Sequence, residues 1–207
     1  MLPLKIEIFK IMQINVLMIV ALALLCSDTL AKQEANKKEG GEINKITEST
    51  IKQSKDWLKN ANKKILSCFN METAESVIDE IFHIEHILYL ATKIKKITNE
   101  EKKIFTIFLA KIFFMNIKDI CENIKFLNAK HVDKNLIHVE TSAPGGIYIT
   151  WVVIFLPNNK EKFRIYDVLV NNSSVFIEFR KDILKIPHTH SNRNKDIFEA
   201  IQDYNIS

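Results

Sequence analysis

The chain has 207 residues, of which 47% are apolar and 26% charged, with a formal charge of +4 at neutral pH. This is enough apolar material for one domain with a genuine core, and the small basic excess is scattered among interleaved acids, so nothing supports nucleic-acid binding. Three cysteines make no repeating framework, which excludes a disulfide-scaffold fold.

Lys5 and Lys10 form a basic n-region, Val16 to Cys26 runs without a polar interruption, and Thr29 and Ala31 are small residues suited to a cut after Ala31. Residues 1–31 therefore read as an export signal cleaved near Ala31. A retained anchor is the second reading, but a spanning helix needs roughly 20 apolar residues, and Gln13, Asn15 and Asp28 interrupt the run. Cys26 follows Leu25, where a lipoprotein signal wants a small residue, so lipid attachment there is the weaker option. Met12 is an alternative initiator that leaves a shorter signal of the same meaning. Cys68 and Cys121 remain after processing. They either bridge in an oxidising compartment or serve as two buried small hydrophobes, the preferred reading because a core of this size needs no bridge.

Residues 32–42 are polar and end in Gly40-Gly41, a flexible lead-in, so the folded domain is expected over 43–207. Ile43, Ile46, Thr50 and Ile51, then Trp57, Leu58, Ile65 and Leu66, predict one or two amphipathic helices. The unusually apolar block from Thr73 to Ile94 carries Val77, Ile78, Ile81, Phe82, Ile84, Ile87 and Leu88 at helix spacing. Thr98 and Glu101 match the S/T-x-x-E capping box and open a helix through Ile104, Phe105, Phe108, Leu109, Ile112, Phe113 and Ile117. Nearly half of its circumference is apolar, so it needs cover over a wide arc, or a ligand.

The second half changes period. Phe126 to Val132 is a candidate strand, and Leu136 to Ser142 alternates, with Ile137, Val139 and Thr141 on one face and His138 and Glu140 on the other. Ala143 to Gly146 supplies a turn into a long strand, Ile147 to Leu156, with Ile147, Ile149, Trp151, Val153 and Phe155 on one side. Pro157-Asn158-Asn159 turns into a further strand over Phe163 to Val170. Two readings compete for Val175 to Lys185: a strand in a hairpin turned at Asn171-Asn172, or a helix N-capped by Ser174. A last helix is expected around Lys195 to Tyr204. The pattern is α+β, with N-terminal helices packed on one face of an antiparallel, about four-stranded sheet and C-terminal helices after it.

The segments "VIDEIFHIEHIL" (Val77 to Leu88), "TNEEKKIFTIFLAKIF" (Thr98 to Phe113) and "KFRIYDVLVNNSSVFIEFR" (Lys162 to Arg180) follow one another over most of the chain after the signal. In order and spacing they resemble the MlaC-type periplasmic phospholipid-binding proteins, also called the toluene-tolerance auxiliary family. The corner glycine of that family falls here on Asn172, a residue type that visits left-handed backbone cheaply. The resemblance places a helix after Ser174 and decides for that reading. It implies a soluble, monomeric, non-catalytic periplasmic carrier, with phospholipid as bound ligand and no other cofactor. Such a carrier moves lipid between an outer-membrane lipoprotein and an inner-membrane ABC transporter complex, maintaining outer-membrane lipid asymmetry.

An apolar pocket between helices and sheet would then be walled by Ile84, Ile87, Phe105, Phe108, Ile112, Ile137, Val139, Ile149, Trp151, Val153 and Phe179, although any one of them taken singly reads more readily as plain core. Asp167, Asn172, Ser174 and Arg180 match the structural corner, where Asp167 or Ser174 would satisfy backbone donors and Arg180 would pair nearby. The competing function is a secreted, non-catalytic structural or adaptor domain with a filled core. His83, Glu85 and His86 share a short stretch without HExxH spacing, and His188 with His190 is a loop pair, so metal binding has little support. No nucleophile elbow, Walker loop, dinucleotide fingerprint or CxxC occurs.

Overall fold

The structure, a computed structural model, describes residues 46–68, 70–113, 122–187 and 189–202. The export signal, the lead-in, Cys121, Ile117, His188 and Tyr204 lie outside the described residues. Within them the chain is α+β, with six α-helices and a five-stranded antiparallel sheet.

Helix α1, Glu48–Leu66, is a single helix: Thr47 caps it by accepting the Thr50 N–H at 3.2 Å, and Ser54, Leu58, Ala61 and Ile65 recur on its buried side. Helix α2, Met71–Ile81, opens on a reciprocal Asn70–Thr73 capping box. The apolar block expected to run as one helix to Ile94 then breaks. Phe82 is extended (φ −100°, ψ 147°), and its backbone bridges Ile165 in the sheet, with the His83 N–H donating to the Ile165 carbonyl at 2.9 Å. Helical spacing continues through the break because Phe82 is itself fully buried, its ring 4.7 Å from that of Phe113. Helix α3, Ile84–Thr92, ends on left-handed Lys93, whose N–H donates to the Tyr89 carbonyl. Helix α4, Asn99–Ile112, has the predicted Thr98–Glu101 box, with both reciprocal bonds formed.

Strands β1 (Lys125–Asp133), β2 (Leu136–Ala143), β3 (Ile147–Phe155), β4 (Phe163–Val170) and β5 (Ser173–Ser174) lie in sequential order as a meander. A 3-10 turn, Pro144–Gly146, joins β2 to β3 with Gly145 and Gly146 at φ 79° and 77°, values that glycine adopts without strain. Along β2 the residues Ile137, Val139, Thr141 and Ala143 are buried, and they face Val153, Trp151, Ile149 and Ile147 of β3. In β4 the register with β3 slips between Val152 and Val153, so that Tyr166 is an extra, bulged residue beside Asp167.

The sheet gains a fifth strand over the expected four because both readings of the corner hold in part. Asn171 (φ 47°) and Asn172 (φ 68°) make a left-handed two-residue turn, Ser173 and Ser174 pair back onto Val170 and Leu169, and helix α5, Val175–Ile183, starts at once. Helix α6, Arg193–Gln202, follows a loop in which Arg193 donates to the Ile183 carbonyl at 3.0 Å, while Asp196 accepts from the Thr189 and His190 N–H groups. Helix α1 packs on β1 and β2, α3 and α5 pack on each other and on β4, and α4 packs on α2, α3 and α6. One continuous cluster of buried apolar side chains connects all of these elements.

Candidate functional site

The eleven wall candidates all lie in or against this cluster. Ten are at most 7% exposed: Ile84 and Ile87 from α3, Phe105 and Phe108 from α4, Ile137 and Val139 from β2, Ile149, Trp151 and Val153 from β3, and Phe179 from α5. Ile112 is partly buried and packs against the others. The helical members come together through aromatic contacts, Phe108 standing 5.2 Å from Phe179 and 6.0 Å from Phe105 between ring centroids. An apolar recess of ≈ 10 Å³, about the room one water needs, lies between α1, α2 and α4, and is lined by Ile65, Cys68, Ala74, Val77, Ile78, Ala110 and Phe113. None of the eleven candidates lines it.

One polar pair is built into this greasy interior. The Trp151 Nε1–H donates to the Thr141 hydroxyl at 3.0 Å, and that hydroxyl in turn donates to the Ile149 carbonyl at 3.3 Å, all of it buried. Thr141 was legible only as an inward position. Its signal was being the one hydroxyl on an otherwise aliphatic face, diagonal to an indole that needs an acceptor.

The corner joins its residues more closely than spacing alone implies. Asp167 Oδ1 accepts from its neighbour, the Val168 N–H, at 2.8 Å and from the Ser174 hydroxyl at 2.9 Å. The Ser174 oxygen accepts the Ile177 N–H at 3.2 Å, capping α5. Burial pushes the Asp167 carboxyl above its ordinary range, against the opposing pull of these two bonds. Arg180 reaches across to helix α3 and donates to the Leu90 carbonyl at 3.3 Å, so that α5 is tied to both β4 and α3. Asn172 takes the left-handed backbone its position demands, and Asn171 accepts the Tyr148 N–H through its side chain.

At the α2–α3 break the His86 ring stacks on Tyr166, with centroids 3.3 Å apart and planes 11° off parallel, and His83 meets Tyr166 edge-on at 5.6 Å. Burial lowers the His86 pKa to about 4, helped by the charges of His83 and Lys93, and burial also lowers that of His83. Glu85 binds Lys102 at 2.8 Å, and Lys102 lies 3.6 Å from Asp79. The bulged Tyr166 is what organises this cluster, and a bulge has no signal in strand alternation. Among the described residues, no group of three or more His, Cys, Asp or Glu side chains could hold a metal ion, and no helix is long and apolar enough to cross a membrane. Cys68 is buried and its thiol donates to the Lys64 carbonyl at 3.3 Å; any pairing with Cys121 falls outside the described residues. No protein-family model matches the chain, and no curated protein matches it in sequence.

Proposed function

We propose that the protein is an exported, non-catalytic phospholipid carrier, with the helices laid on one sheet face and acyl chains held between the two layers. The observation that supports this reading is the gathering of apolar side chains from α3, α4, α5, β2 and β3 into one continuous buried cluster, next to a corner where Ser174 ties α5 to Asp167 of β4 and Arg180 ties α5 to α3. A phospholipid has on the order of 30 acyl methylenes, and at about 0.8 kcal/mol each their exposure to water costs more than 20 kcal/mol. A carrier must hide nearly all of them. The compartment proposed with it is the periplasm, and the proposed partners are an outer-membrane lipoprotein and an inner-membrane ABC transporter complex.

A second reading, a secreted structural or adaptor domain with a filled core, is favoured by one observation. The wall candidates are almost all withdrawn from solvent as core side chains are, and the recess described above is lined by other residues. On the carrier reading lipid would enter only if the layers parted. Mass spectrometry of organic extracts from purified protein separates the two. Phospholipid at near-stoichiometric amounts supports the carrier, and protein that is repeatedly empty supports the filled core.

A further inference from the structure

Two imidazoles sit at the joint where α2 gives way to α3. Phe82 leaves helical geometry there, and the joint is fastened to β4 in three ways: the Phe82–Ile165 bridge, the His83 N–H on the Ile165 carbonyl at 2.9 Å, and the His86 ring lying flat on the bulged Tyr166. The two histidine rings stand 6.3 Å apart between centroids, and both are half-buried. Phe82 and Ile84, on either side of His83, are fully buried. Any opening of the joint therefore bares apolar surface.

The charges around the pair suit neutral rings. On α3, Glu85 Oε2 lies 3.7 Å from His83 Nδ1, beyond hydrogen-bond reach, while its other carboxylate oxygen is held by Lys102 of α4. His83 Nδ1 is buried without a hydrogen-bond partner among the described residues. Asp79 of α2 is turned to the same Lys102, and Arg164 of β4 donates to the Phe82 carbonyl at 3.3 Å. Lys93, just past α3, stands 4.6 Å over the Tyr89 ring, and Arg180 of α5 donates to the Leu90 carbonyl. Among the described residues no carboxylate pairs with His86, and the charges it feels are those of His83 and Lys93. Protonation of both rings thus sets two like charges close together, answered by one carboxylate already shared with Lys102. The face of Tyr166 attracts a cation and offsets part of this. Burial, then the charges of His83 and Lys93, hold the His86 pKa at about 4.

We propose that the α2–α3 joint is an acid-sensitive hinge, in which charged His83 and His86 release α3 from the β4 bulge while the rest of the fold stays closed. This goes beyond the carrier reading and does not depend on it. In the open joint the His86 ring regains its ordinary pKa of about 6.5, so protons favour opening between about pH 6.5 and about 4. At about pH 5 the whole shift multiplies the open fraction roughly twentyfold over neutral pH, and solvent screening of a half-exposed ring leaves about tenfold.

The test is site-resolved amide hydrogen exchange on the full chain, purified as cells process it, at about pH 7 and about pH 5, corrected for intrinsic rates. The reporting amides are those of His83, His86 and Ile87, which donate to the Ile165 and His83 carbonyls. They are expected to open more often than the amides of β2 and β3, independently of low urea, and about tenfold more often at the lower pH. His86→Phe keeps a ring on Tyr166 without the proton and loses most of that gain. Exchange of the joint only together with β2 and β3, with the same urea dependence, overturns the hinge in favour of unfolding of the whole domain. So does a joint indifferent to pH, or a gain that His86→Phe keeps in full. An NMR titration of the histidine rings in the parent keeps the test open where the variant folds poorly: His86 titrating at about 6.5 or above overturns the hinge, and a value clearly below supports it.

Discussion

Ser174→Ala removes a hydroxyl that does two jobs at the corner, accepting the Ile177 N–H as the α5 cap and donating to Asp167. Loss of a serine cap costs about 1 kcal/mol. Loss of a hydrogen bond to an ionised acceptor costs about 1.5–3 kcal/mol, and the lower end applies here because Asp167 keeps the Val168 N–H. The expected destabilisation at neutral pH is therefore about 2–3 kcal/mol.

Its pH dependence follows from the raised pKa of Asp167. A carboxyl whose folded pKa lies above the unfolded value takes up its proton in the folded state first. Its contribution then favours folding on the acid side, and is lost as pH rises through the unfolded and then the folded pKa. Once Asp167 is protonated its bond from Ser174 is no longer charge-assisted, so the penalty of Ser174→Ala shrinks towards the cap alone, about 1 kcal/mol. Urea unfolding of variant and parent at pH 7 and at about pH 4, compared at each pH, reads both effects. A neutral-pH penalty under about 0.5 kcal/mol, or one that grows on acidification, refutes the reasoning.

Thr141→Val leaves the buried Trp151 N–H without its acceptor and costs about 1–3 kcal/mol in the same assay; adding Trp151→Phe recovers part of that loss. Asn172→Gly, at φ 68°, is neutral or slightly stabilising, whereas Asn172→Val lowers stability by about 1–2 kcal/mol and the melting temperature with it. His86 has a folded pKa below its unfolded one, so the stability it contributes is present above about pH 6.5 and is lost as pH falls towards about 4. Taken at face value the shift is worth about 3 kcal/mol, and solvent screening of a ring only half buried reduces this to about 1–2 kcal/mol. His86→Phe keeps a ring on Tyr166 and flattens the decline measured by melting between those pH values.

The helices were legible where local chemistry states them. Thr98 and Glu101 announce α4 because caps act over three residues, whereas local chemistry after Asn172 allowed both a hairpin strand and a helix capped by Ser174, and the chain forms a short piece of the first before the second. The β2 and β3 faces were equally plain, since period-two burial leaves its trace in Ile137, Val139 and Ile149. What sequence hid was decided at long range. The break at Phe82 comes from a bridge to Ile165, more than 80 residues on, and an apolar residue at the break keeps the helical stripe intact. The β4 bulge that brings Tyr166 to His86 likewise follows from pairing with β3. The wall candidates were found as buried side chains, but periodicity reports only that a side chain leaves water. Whether it meets protein or lipid is a question of volume, which spacing does not encode.

If acyl chains enter the interlayer, apolar contacts between helices and sheet are exchanged for apolar contacts with lipid, so the resistance to opening comes mainly from polar ties. Helix α3 is held to β4 through the His83 N–H and the Ile165 carbonyl, and α5 is held by Ser174 to Asp167 and by Arg180 to Leu90. Among the described residues, α4 is joined to α2 and α3 by the ion pairs of Lys102 with Asp79 and Glu85, whose acids are exposed. Such pairs are worth about 0–1 kcal/mol each. Helix α4 also contributes Phe105 and Phe108, the largest of the helical wall candidates that are buried to 2% or less. It is therefore the element expected to part first. Amide hydrogen exchange checks this: α4 amides should open at lower free energy than those of β2 and β3, and bound phospholipid should slow them. Protection of α4 equal to that of the central strands would mean that the apolar layer resists as one unit, and the interior would then be a core in the ordinary sense.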